Sequence, residues 1–249
     1  MDEIAADPTH PRYASLLMRH RLEQGAKKGM LADSALIAHG RGEAFDYLIG
    51  ERTLPAAEQA ARQALALLLR AERPVLSING NVAALAADDM LRLGAALNCP
   101  IEVNIFYRTP ERMKAILSHL EERADALHLD VEVLGHAPDA VIPGLKGPRA
   151  KCHRQGILES DAILVPLEDG DRCKALVAMG KDVLVIDLNP LSRSAQQASV
   201  TVVDELSRAL ANMLSLLNTG EPIAVDPDYD HSVVLNEVVQ TIVQGFVEQ

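Results

Sequence analysis

The chain has 249 residues, 48% of them hydrophobic, with 24 Lys and Arg against 35 Asp and Glu for a formal net charge of −11. Length and apolar content suffice for one sizeable core, while the negative field disfavours nucleic acid and anionic membrane as partners. Aromatic residues make up only 3% and Trp is absent, which removes the stacking platforms of single-strand nucleic-acid binders.

The opening MDEIAADPTHPRY lacks the basic-then-apolar layout of a secretory signal, and no apolar run approaches the roughly 20 residues of a bilayer span, so a cytoplasmic protein without a membrane partner is expected. Residues 11–28 set Leu16, Leu17, Met18 and Leu22 among Arg19, His20, Arg21, Glu23, Lys27 and Lys28, which predicts a helix with a basic face ending near Gly25 or Gly29. The next stretch, 38–47, packs Gly40, Gly42, His39, Arg41, Glu43 and Asp46 together. Glycines on both sides of Arg41 predict a loop in which positive φ brings the backbone close to a ligand while the guanidinium projects between them. Such a loop suits a phosphorylated substrate; the alternative is a tight surface turn with an incidental arginine. Pro55 then opens a helix over 56–72 whose 64–69 portion is apolar nearly all round, so that it is buried in its own subunit or in a dimer contact.

From Pro74 the rhythm changes to short β-branched runs alternating with helical stretches. Strands are predicted at 75–78, 101–105, 131–134, 162–165, 183–186 and 200–203, with helices at 82–97, 109–125, 171–179, 204–217 and 232–247. This is the layout of an α/β fold, a Rossmann-like parallel sheet with flanking helices and an N-terminal helical segment. We read one α/β domain over 1–249, with a helical segment at 1–73, the core at 74–217 and a C-terminal helical extension at 218–249. Residues 135–155 hold Pro138, Pro143, Pro148, Gly144 and Gly147, so a long loop over one face, and a lid, is expected there.

Ligands of open parallel sheets bind beyond the carboxyl ends of the strands, so the turns that follow strands carry the chemistry. After the first strand comes Asn79-Gly80-Asn81, where a helix N-terminus faces an anion and two amides offer hydrogen bonds, or where the asparagines merely cap and turn. After the second come Tyr107 and Arg108. After the fourth, Glu168, Asp169 and Asp171 form a carboxylate cluster that suits Mg²⁺ or simply complements a helix N-terminus. After the fifth, Asp187-Leu188-Asn189 leads to Ser192-Arg193-Ser194, with Asp187 placed where carboxylates receive ribose hydroxyls.

No G-x-G-x-x-G follows a strand, and no P-loop, G-x-S-x-G or H-E-x-x-H is present, which demotes nicotinamide dehydrogenases, P-loop kinases, serine hydrolases and zincins. Cys99, Cys152 and Cys173 are odd in number and lack C-x-x-C spacing, so idle thiols are expected, with Cys152 beside Lys151 and His153 the alternative as a nucleophile.

Taken together, HPRY at 10–13, LIAHGRGEAFDYLIGE at 36–51, NGNVAAL at 79–85, FYRT at 106–109, LVPLEDGDR at 164–172 and DLNPLSRSA at 187–195 resemble the archaeal 4-phosphopantoate–β-alanine ligases, or phosphopantothenate synthetases. The resemblance spans His10 to about Ser207 and leaves the C-terminal helix without a functional claim. It implies a homodimeric, ATP- and Mg²⁺-dependent enzyme that condenses 4-phosphopantoate with β-alanine through an acyl-adenylate, releasing AMP and diphosphate on the route to coenzyme A. It also implies an ATP site of Arg19, Arg41, Asp187, Leu188, Asn189, Arg193 and Ser194, with Glu205 and Leu206 near the base. Glu205 departs from the Asn that family members can carry, so a backbone contact is expected there. On this reading Arg19, Arg41 and Arg193 hold triphosphate. Asn79, Gly80, Asn81, Tyr107 and Arg108 hold the substrate anion, and His39 or Glu43 takes the ammonium proton. Metal ligands are left unassigned. A nucleotide sensor and an ADP-forming phosphotransferase are the rival readings.

Overall fold

A computed structural model describes residues 7–245. In chain order the elements are α1 (Tyr13–Lys27), α2 (Ala35–Leu48), α3 (Pro55–Arg70), β1 (Pro74–Ile78), α4 (Gly80–Leu97), β2 (Ile101–Val103), α5 (Pro110–Leu127), β3 (Val133–Leu134), β4 (Ala140–Val141) and β5 (Lys151–Cys152). They continue with β6 (Ala162–Pro166), α6 (Gly170–Ala178), β7 (Asp182–Ile186), α7 (Arg193–Gln197), β8 (Val200–Val202), α8 (Leu206–Asn218) and α9 (His231–Gln244). The six expected strands form one parallel sheet in the order β3-β2-β1-β6-β7-β8. The connection changes direction between β1 and β6, which opens a crevice at their carboxyl ends.

Alternation along the strands explains the two layers. Leu76, Ile78, Leu164, Leu184 and Ile186 face the larger core, and Val75, Ile163, Val165, Val183 and Val185 face the smaller one. The larger layer includes α3, in which Ala64, Leu65, Ala66, Leu67 and Leu68 are all buried, so that part of the apolar stretch is spent inside one subunit, while Leu69 stays exposed. The expected C-terminal helix packs on α3 and β8 through Val234 and Val238; its predicted residues 246–247 lie outside the described residues. No described helix is long and apolar enough to cross a membrane.

Two expectations are corrected. Residues 38–47 are not a loop: they lie inside α2, and neither Gly40 nor Gly42 has positive φ. Helical continuity prevails because Asp46 and Phe45 anchor the segment inward, Asp46 being 3% exposed. Residues 135–155 are not free of structure either. β4 and β5 pair antiparallel, Ile142 and Cys152 are fully buried in the smaller core, and the segment roofs the sheet. Burial pushes the Cys152 thiol up to about 12, which removes the nucleophile alternative.

Because a Cβ at Gly40 meets nothing within 4 Å, Gly40→Ala should stabilise the protein by about 1 kcal/mol in urea unfolding. A clear loss of stability would restore the positive-φ loop.

Candidate active site

A cavity of about 370 Å³ opens at the crevice between β1 and β6. Asn79, Gly80 and Asn81 after β1, Tyr107 after β2, Leu167 after β6, Leu188 after β7, and Glu205 and Leu206 at the start of α8 all reach it. α2 closes the opposite side with His39, Glu43 and Asp46.

The turn after β1 is built to bring backbone close. Asn79 caps α4 by accepting the Val82 N–H at 3.1 Å, and its amide donates to the Pro166 and Leu167 carbonyls at 3.2 Å each. Both ends of that side chain are therefore engaged. A Cβ on Gly80 would sit 2.6 Å from the Met30 carbonyl oxygen and 3.3 Å from Arg112 Nη2, so only glycine fits there. Asn81 donates to the Ala35 carbonyl at 3.1 Å and ties α4 to α2.

The catalytic candidates differ in state. His39 Nε2 is buried without a hydrogen-bond partner among the described residues, and desolvation holds the imidazole below its ordinary pKa, against the pull of Glu43. Burial would raise the Glu43 carboxyl, but hydrogen bonds from Arg19 and Ser15 overcome it and hold the group below the usual carboxylate range. Arg19 bridges Glu43 at 2.8 Å and Arg12 does so at 3.3 Å. His39 is the weaker cation and the freer base of the two.

Several predicted ligands stand outside the cavity lining. Arg41 lies exposed on α2, close enough for its charge to lower the Asp187 carboxyl against a larger upward push from burial. Asp187 itself accepts from Ser192 Oγ at 2.6 Å and the Asn189 N–H at 3.0 Å, closing the turn that leads to Arg193. Arg193 pairs with Asp171 at 2.5 Å in solvent, and Ser194 faces inward to the Glu168 carbonyl at 2.7 Å. Arg108 donates to the Gly135 carbonyl at 2.6 Å and does not line the cavity. Glu205 caps α8 by accepting the Ser207 and Arg208 N–H groups at 2.8 and 3.1 Å, and burial raises its carboxyl.

The carboxylates after β6 are not an open metal cluster. Glu168 is buried between Arg149 and Arg172, Asp169 caps α6 and pairs with Arg149 at 2.8 Å, and Asp171 holds Arg193. Burial raises the Glu168 carboxyl, against the two guanidiniums. No grouping of three or more His, Cys, Asp or Glu among the described residues is arranged to hold a metal ion.

Two cavity cations went unread in the sequence. Arg112 donates to the Tyr107 carbonyl at 2.5 Å and the Met30 carbonyl at 3.1 Å, and its Nε is buried without a partner among the described residues. Arg149 reaches the cavity with its side chain 9% exposed. The first sat in a helix of ordinary charge pattern, and the second in the breaker-rich stretch read as a loop; only the TPER helix start and the basic GPRAK run were visible as signals.

A model of the family described as phosphopantothenate/pantothenate synthetase matches residues 56–245. A 4-phosphopantoate–β-alanine ligase of Thermococcus onnurineus is 50% identical over 237 residues, covering 93% of this chain and 89% of the relative. The ligase of the same name from Thermococcus kodakarensis is 48% identical with the same coverage. That from Methanosarcina mazei is 46% identical over 248 residues, 97% of this chain and 95% of the relative.

Arg172 is fully buried and bonded to Glu168 and Ser77, so Arg172→Ala removes one of the two guanidiniums that pair the buried Glu168 carboxylate and leaves a void where the side chain packed. Urea unfolding should show a loss of about 3–5 kcal/mol; a loss below about 1 kcal/mol would mean that the cluster is already solvated.

Proposed function

The chain belongs to the phosphopantothenate/pantothenate synthetase family, and from that premise we propose that it condenses 4-phosphopantoate with β-alanine through an acyl-adenylate, releasing AMP and diphosphate. The ligase activity, on the route to coenzyme A, rests on the name shared by relatives matched over 89% or more of their length. The observation that carries the chemical reading is a cavity, at the direction change of the sheet, that joins two guanidiniums to an imidazole whose Nε2 has no hydrogen-bond partner among the described residues.

A carboxylate resists amine attack because it is anionic and offers no leaving group. In the first step its oxygen attacks the α-phosphorus of ATP, a P–O bond forms and diphosphate departs. In the second, the amine of β-alanine attacks the acyl carbon, a C–N bond forms and AMP leaves with the former carboxylate oxygen. Bringing anions together requires cations that bind the transition state more tightly than the ground state.

The residues divide along the sheet. Arg112, Arg149 and the Asn79-Gly80-Asn81 turn receive 4-phosphopantoate at the β1 side, in place of Arg108, with Tyr107 at the rim. Asp187, Leu188, Asn189, Arg193, Ser194, Glu205 and Leu206 follow β7 and β8 and form the nucleotide side, with Arg19 and Arg41 above it on α1 and α2. His39, neutral near pH 7, takes the proton that the amine loses. If the reaction uses Mg²⁺, the ion would enter with the substrate phosphates, whose charge it would neutralise, since no group of three or more His, Cys, Asp or Glu among the described residues is arranged to hold it.

The homodimer is assigned to α2. Leu36, Ile37, Tyr47 and Leu48 on that helix are exposed, as is Phe106 beside it at the cavity mouth, an apolar surface suited to a second copy. The cytoplasm, which keeps thiols reduced, suits the three buried free cysteines.

Incubation with Mg-ATP, 4-phosphopantoate and β-alanine should yield AMP and 4′-phosphopantothenate in equal amounts; ADP would favour the phosphotransferase, and binding without turnover the sensor. Arg41→Ala should lower kcat/KM about 10²–10³-fold with cooperative unfolding retained; near-normal turnover would remove Arg41 from the mechanism. Since His39 must be neutral to act and its pKa is depressed, kcat should fall only below about pH 6.5. His39→Ala should abolish that acid limb, and a limb surviving in the variant would exclude His39 as the base.

A further inference from the structure

β2 and the residue that follows it place two buried polar side chains, Glu102 and Asn104, in the sheet. Glu102 is 1% exposed and Asn104 fully buried, and Glu102 pairs in register with Ser77 of β1. Both side chains point at the segment that brings Arg149 to the cavity. Glu102 accepts the His153 N–H at 3.0 Å through Oε1 and the Ile157 N–H at 2.8 Å through Oε2. Asn104 donates to the Arg149 and Lys151 carbonyls at 3.2 and 3.0 Å and accepts from Arg149 Nε at 3.2 Å. Gly156 completes the fit, because a Cβ there would overlap the Glu102 carboxylate.

We propose that Glu102 is a positioning residue for substrate binding: its carboxylate anchors the 153–157 turn to the sheet and thereby fixes Arg149 in the cavity. The inference rests on the reading of Arg149 as a ligand of the substrate anion. An ionised carboxylate accepts one backbone N–H on each oxygen, whereas protonation turns one of those oxygens into a donor. Burial raises the Glu102 carboxyl to about 7, against the two N–H donors and the charges of Arg172 and Arg108. An aliphatic side chain in that place would leave the His153 and Ile157 N–H groups unpaired, so the carboxyl group both satisfies the turn and sets its geometry. Glu102 holds the far end of the segment and Asn104 the near end, where it also accepts from Arg149 Nε.

Glu102→Gln keeps the shape but sets an amide donor against one of the two N–H groups. In the full enzyme its KM for 4-phosphopantoate should rise roughly tenfold, with kcat changed less than about twofold, the scale of one charge-assisted hydrogen bond. Gly156→Ala, which keeps the charge and displaces the turn, should give the same split and serves if the glutamine variant does not fold. Added to Arg149→Ala, either substitution should have no further effect on KM, because the anchor acts only through that arginine. Additive effects, or a fall confined to kcat, would overturn the proposal. An unchanged KM in Glu102→Gln and Gly156→Ala, beside an impaired Arg149→Ala, would overturn it alone. An unchanged KM in Arg149→Ala would overturn the substrate reading together with it.

Discussion

Everything near the cavity depends on keeping guanidinium charge inside a sheet that would otherwise be sealed with aliphatic side chains. A parallel sheet covered on both faces has no water to solvate ions, yet Arg172 is fully buried, Glu168 nearly so, and Arg149 almost as deep. The solution is a chain of mutual partners: Ser77 and Glu168 on Arg172, then Glu168, Asp169 and Asn104 on Arg149. Replacing such a network by packed hydrocarbon is often neutral or stabilising; under the proposed function the network holds a cation where the substrate anion arrives.

The opposite wall obeys the same rule with α2 in place of the sheet. Asp46, 3% exposed, receives Arg208 at 2.5 Å, and the same guanidinium holds Asp204 at 2.7 Å. Thr53 adds a bond to Asp204 at 2.6 Å. Burial works against the Arg208 charge, but the two carboxylates raise its pKa and keep it protonated. This clamp joins α2 to the head of α8, and His39 on the first and Glu205 at the head of the second both line the cavity. Two separate ion clusters thus set two walls, and the cavity lies between them.

The sheet was legible because hydrophobic alternation and turn residues are local: all six strands and the flanking helices fell near their expected places. So were the strand-following turns at Asn79 and Asp187, since the crevice rule converts order into position. Gly40 and Gly42 misled because glycine signals permission for positive φ and not its use; tertiary anchoring through Asp46 kept the helix intact. Arg108 precedes α5 and Arg112 lies in its first turn, and only packing against Gly135 or against Met30 decides which one reaches the cavity. Arg149 was invisible for a related reason. Its setting is made by Asn104 and Glu168, 45 and 19 residues away, and no local pattern reports such partners.

The proposed mechanism has the carboxylate of 4-phosphopantoate attack phosphorus before nitrogen attacks carbon, in the cavity that Arg112 and Arg149 line. Transfer of ¹⁸O from the labelled carboxylate reports that order directly. With Mg-ATP, β-alanine and carboxyl-labelled substrate, one label should appear in AMP and the other remain in the product amide. Label in inorganic phosphate, or none in any phosphorus product, would contradict the account.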